Sequence, residues 1–152
     1  MSERTLDDLA AHFTACTLPA AEWTHAAHLR VGLWHVERYG AVEALERLRA
    51  GIRRLNESYG NRNTATSGYH ETITVAYVQL IAVYLEQADR TVSSDARAAA
   101  LVAGPIGDRQ VLLAFWSKDT LMSPEARAAW TPPDLAPLAL PEAPVRAGAV
   151  AF

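Results

Sequence analysis

Apolar residues recur three and four positions apart along most of the chain up to Pro132, the spacing of helices with one buried face. The first such stripe is Leu6, Leu9, Ala10 and Phe13, with Thr5 before it and Asp8 three residues further on, a capping-box arrangement. A second helix is predicted over 24–40, with Thr24 as N-cap and Gly40 as its stop. A third, over 41–59, carries Leu45, Leu48, Ile52 and Leu55 on one side and charges on the other. A loop-forming stretch, Asn61 to Gly68, precedes a fourth helix over 67–87. Ser93 or Ser94 opens an alanine-rich fifth helix that the GPIG segment at 104–107 ends. Asp108 is read as the cap of a short helix ending near Trp116, and Ser123-Pro124-Glu125 as the start of another. From Pro132 onward five prolines exclude a helix, which predicts an extended or disordered tail. The expectation is an all-α compact bundle of about five to seven helices, with a helical domain over 1–131 and the tail over 132–152.

Helical geometry orients the polar residues. Successive positions turn by about 100°, so Arg30 and Glu37 share a line on the second helix, expected to face water. His28, Gly32 and His35 lie opposite, and His25 lies to their side with Leu29 and Val36. Gly32 costs this helix about 1 kcal/mol relative to alanine, which a close helix neighbour or space for a ligand would justify. On the 67–87 helix, Thr72, Gln79 and Glu86 share the expected wet line; His70, Thr74, Tyr77, Ile81 and Tyr84 lie opposite, with Glu71 between the two sides. His25 and His70 fall in first helical turns, where the positive end of the dipole lowers an imidazole pKa. His12 and His35 are read as structural, His35 bonding a carbonyl or side chain of its own helix.

Composition narrows the chemistry. A formal charge of −3 argues against nucleic acid, and the densest basic cluster, Arg47, Arg49, Arg53 and Arg54, is interleaved with Glu43, Glu46 and Glu57 as on a solvated face. The one cysteine, Cys16, allows no internal disulfide and no thiolate metal site. The acidic start shows no secretory pattern, and the apolar run from Ile73 to Leu85 is shorter than the roughly 20 residues of a membrane span. A cytoplasmic protein without a membrane partner is expected; Tyr59, Trp130 and the tail leave a homodimer open.

The inward histidines allow three chemistries. His25, His28 and His70 would hold one divalent transition metal (Zn, Fe or Mn) if the second and fourth helices are neighbours. Without a metal, His28 or His70 is a candidate base, with Glu71 orienting an imidazole and Tyr69 or Tyr77 donating a proton. A non-catalytic cavity lined by Trp23, Trp34, Tyr77, Tyr84, Phe115 and Trp116 would suit a flat apolar ligand. For each histidine alone, a core imidazole with partnered nitrogens is the plain alternative.

The segments EWTHAAHLRV, SGYHETITVAY and WSKDTLMSPEARAAWTPPDLAPL resemble a family of short, helical bacterial proteins with no assigned activity. The resemblance spans Glu22 to Leu138 and draws attention to His25, His28, Tyr69, His70, Glu71 and the Ser117–Pro133 segment, without implying a reaction. The reading taken from the sequence is a small metal-dependent enzyme acting on a small organic molecule. The alternative is a small-ligand-binding or sensor domain using the same cavity.

Overall fold

A computed structural model describes residues 3–141 and is all-helical over that range. The elements are α1 (Leu6–Ala15), α2 (His25–Ser58), α3 (Glu71–Gln87), α4 (Ser94–Ala103), α5 (Lys118–Leu121) and α6 (Pro124–Ala128), with 3-10 turns at Ala20–Glu22, Pro105–Gly107 and Val111–Ala114. Most boundaries are set by side-chain caps. Thr5, Thr24, Ser93, Ser117 and Ser123 each accept a hydrogen bond from the backbone N–H three residues on, satisfying a donor that the helix start leaves free.

The two helices expected over 24–40 and 41–59 are both present and meet end to end in α2 across a kink. The kink is at Gly40, with φ 78° and ψ 166°, a conformation that a side chain would disfavour. It divides α2 into an N-terminal and a C-terminal arm. The N-terminal arm is the centre of the molecule. Leu29, Val31 and Leu33 are fully buried, and α1, α3 and α4 all pack on α2, α3 most extensively.

This central position corrects the expected wet line of the arm. The Arg30 side chain is only 12% exposed and pairs with Glu3 at 3.2 Å. Glu37 is 14% exposed and pairs with Arg97 of α4 at 2.7 Å. Both charges are therefore largely shielded and have partners supplied by other segments, which lets a polar face pack against the rest of the chain. Thr72 is also fully buried rather than wet. Its hydroxyl donates to the Ala129 carbonyl and accepts from the Thr131 N–H, fastening the chain after α6 to α3.

Two further expectations shift. The fourth predicted helix begins at Glu71 instead of Ser67, because Gly68 takes φ 83° and the chain turns there. The segment after Asp108 forms a 3-10 turn where an α-helix was expected. Pro132 to Pro141 runs extended over the helices. The Leu135 N–H donates to the Phe115 carbonyl, Asp134 accepts from Ser117, and Leu138 and Leu140 rest on the core. The expectation for the tail beyond Pro141 lies outside the described residues. Among the described residues no helix is long and apolar enough to cross a membrane.

Candidate functional site

A cavity of about 540 Å³ opens between the two arms of α2 and one side of α3. Its walls are mainly apolar: Leu29, Leu48, Ile52, Ile73, Val78 and Ile81. Trp23, Thr24, His25, His28, Gly32, Thr74, Tyr77 and Arg109 complete the lining. The size falls within the ~300–1,000 Å³ usual for small-molecule sites, as does the mix of apolar wall and few polar groups.

Gly32 meets both conditions that would justify a mid-helix glycine. A methyl group there would stand 3.0 Å from Cδ1 of Ile81 on α3, and the residue also lines the cavity. Close packing and open space meet at that point.

The local sequence sets the chemistry of His28. Thr24 caps α2, so its carbonyl faces the fourth residue on, and the His28 Nδ1–H donates to it at 2.7 Å. A carbonyl can only accept, so the proton resides on Nδ1 and the Nε2 lone pair is left for the cavity. The ring stacks on Trp23 with centroids 3.7 Å apart. Desolvation lowers its pKa to about 4; the Thr24 carbonyl opposes this and His25 adds to it. His28 is nevertheless an exposed residue, which corrects the expected inward placement; solvent tempers the desolvation, but the imidazole is neutral at pH 7 in either case.

His25, in the first turn of the same arm, is half-buried and lies edge-on to Tyr77 with ring centroids 5.6 Å apart. Its Nε2 is buried and has no hydrogen-bond partner. Its pKa is lowered, first by desolvation and then by the charge of Arg109, while the Ile106 backbone and Asp108 act in the opposite direction. Burial, and not the helix dipole on which the expectation rested, is the leading cause of this lowering. Burial likewise pushes the Tyr77 hydroxyl up to about 12, so it stays protonated and able to donate.

The third expected ligand is elsewhere. His70 is the N-cap of α3, not a residue of its first turn. Its Nδ1 accepts from the Ile73 N–H at 3.2 Å, and its Nε2–H donates to the Leu121 carbonyl at 2.7 Å. Both ring nitrogens are engaged, and His70 does not line the cavity. This corrects the expected convergence of His25, His28 and His70. Among the described residues no group of three or more His, Cys, Asp or Glu side chains is placed to hold a metal ion.

Glu71 and Tyr69, expected as catalytic partners of a histidine, form a separate buried network. Arg49 holds the Glu71 carboxylate through its Nε and Nη2, and the Tyr69 hydroxyl donates to Glu71 Oε1 at 2.7 Å. Arg53 lies over the Tyr69 ring. Arg49 is therefore a tie between α2 and α3 rather than part of a solvated face. Burial raises the pKa of Glu71, but the bonds from Arg49 and Tyr69 outweigh it and hold the carboxyl below its ordinary value.

Of the expected aromatic lining, Trp23 and Tyr77 are in place, whereas Tyr84, Phe115 and Trp116 are core or near-core groups. Trp34 lies beside a second, more polar cavity with His35 and Tyr39. His35 bonds the Val31 carbonyl of its own helix, as expected. Sequence reasoning missed Arg109. It stands in a short link between two 3-10 turns and carries no local motif.

Comparison with protein-family models, curated proteins and solved structures gave no match. The chemistry of the site therefore rests on its geometry.

Proposed function

We propose that this chain binds a small, mainly apolar organic molecule in the cavity between α2 and α3. His25 and His28 would be its hydrogen-bonding or proton-accepting groups. The observation that carries the reading is the His25 Nε2, a buried nitrogen of a cavity-lining residue with no partner among the described residues. Leaving such an atom unsatisfied costs about 1–3 kcal/mol, which a ligand hydroxyl or N–H in the cavity would recover once the ring turns toward it. The His28 Nε2 supplies a second acceptor, held in one tautomer by Thr24. If the ligand carries an acidic proton, this neutral imidazole serves as a general base. Tyr77 supplies a donor.

The metal-dependent reading retains two imidazoles and would need its remaining ligands from water or substrate. It is the less supported, since both His70 nitrogens are committed to the backbone.

A thermal-shift screen of small aromatic and aliphatic molecules tests the proposal. A ligand at a hundredfold excess over its Kd stabilises by about 2.7 kcal/mol, a Tm rise of roughly 5–10 °C for a domain of this size. Hits should lose their effect in Ile52→Trp, which fills the cavity, and weaken in His25→Phe. Hits that stabilise Ile52→Trp as well as the native protein would place binding elsewhere and refute the reading.

A further inference from the structure

The proposed binding reading leaves the charge of the ligand open, and the cavity's own charges address it. Among the described residues, Arg109 is the only cationic side chain in the lining, and no Asp or Glu lines the cavity. Arg109 is exposed and has no ion pair among the described residues. Its neighbour Asp108 is outside the lining and accepts from the Gln110 N–H at 2.9 Å, although its charge reaches His25 and Tyr77. The two histidines are uncharged at neutral pH, so they neither offset nor add to the guanidinium.

The site therefore combines an apolar chamber, two imidazoles in its lining and, at its wall, one planar cation without an ion pair among the described residues. Arg30, Arg49 and Arg97 are each committed to a carboxylate; Arg38, Arg53, Arg54, Arg62 and Arg127 also have no ion pair among the described residues, but of these unpaired arginines only Arg109 lines this cavity. We infer that the ligand is a monoanion, a carboxylic acid with an apolar body, whose carboxylate meets Arg109 while its body fills the space between Leu29, Ile52 and Ile81. A guanidinium matches a carboxylate with two parallel N–H donors. A lone cation beside a low-polarity chamber favours an anion over its neutral isostere. A phosphate dianion fits less well, because one arginine is the whole positive charge of the lining.

This inference rests on the cavity reading, and its test separates the two. Small carboxylic acids with bodies from hexanoyl to naphthoyl are titrated by calorimetry beside their primary amides, against the native protein, Arg109→Gln and Arg109→Lys. The expected result is that acids bind the native protein at least about tenfold more tightly than amides. That preference should disappear in Arg109→Gln, persist in part in Arg109→Lys, and weaken with added salt. Amides that bind as well as acids, or a preference that survives Arg109→Gln, would overturn the anion assignment and leave the cavity reading in place. Binding by neither series would overturn both. The Tm of each variant without ligand controls for folding.

Discussion

Replacing His70 by alanine should unfold the protein more readily without any ligand or metal being involved. The substitution removes two bonds at once. The Ile73 N–H loses its acceptor at the start of α3, and the Leu121 carbonyl, at the end of α5, loses its donor. Loss of an N-cap costs about 0.5–2 kcal/mol, and a buried polar group left without a partner costs about 1–3 kcal/mol. The two sites share one ring, so their costs are not strictly additive, and about 2–4 kcal/mol is expected. His70→Asn separates the contributions. Asparagine is a good N-cap but is too short to span to Leu121, so it should recover the cap and lose the tie, for about 1–2 kcal/mol. Urea unfolding followed by circular dichroism at pH 7.5 gives both values if the transition is two-state. The stability order should be native, then Asn, then Ala. An alanine variant within about 0.5 kcal/mol of the native protein, or an Asn variant no better than Ala, would sink the structural assignment of His70. Its candidacy as a ligand would then reopen.

Three further outcomes follow from the same geometry. Gly51→Ala should destabilise by about 1–3 kcal/mol through overpacking, because the added methyl would stand 2.6 Å from Cε2 of buried Phe13; Gly32→Ala should cost less, since only the tip of Ile81 must move, and differential scanning calorimetry of the pair compares them. Arg49→Ala should destabilise by about 1–3 kcal/mol, less than for a fully buried pair because Arg49 is 41% exposed; Arg49→Ala with Glu71→Gln should recover part of the loss, and failure to recover any would show that the carboxylate is not the group left unpaired. The histidines also give the stability a pH dependence of known sign. Burial lowers the folded pKa of His25, His28, His35 and His70 below the ordinary 6.5, so below that value the unfolded chain binds more protons than the folded one. Stability should be flat just above pH 7 and fall as the pH drops from about 6.5 toward 4, and denaturant midpoints that stay constant over that window would contradict the neutral-histidine assignment.

The local grammar of the chain was legible. Thr5, Thr24, Ser93 and Ser123 announce helix starts because a cap depends on atoms within three residues of each other. Gly40 marks a real break in helical geometry for a similarly local reason. The placement of His25 and His28 on the side of α2 that lines the cavity also followed from helical periodicity, as did the bond from His35 to its own helix, although His28 is exposed there.

What failed involved partners distant in sequence. The line of Arg30 and Glu37 read as wet because charges usually are, but Glu3 and Arg97 arrive from α1's approach and from α4 to neutralise them. A four-residue shift in the start of α3 turned His70 from an inward first-turn residue into a cap, and α5 then engaged its other nitrogen. Glu71 could be judged only once Arg49 was seen across the α2–α3 contact. Arg109 reaches the cavity because two 3-10 turns carry its link back against α2. Sequence by itself determined the helices and the facing of single residues, because backbone capping and the 3.6-residue repeat are short-range. Tertiary structure alone decided which polar atoms were spent on one another and which were left for a ligand, because that depends on groups brought together only when the helices pack.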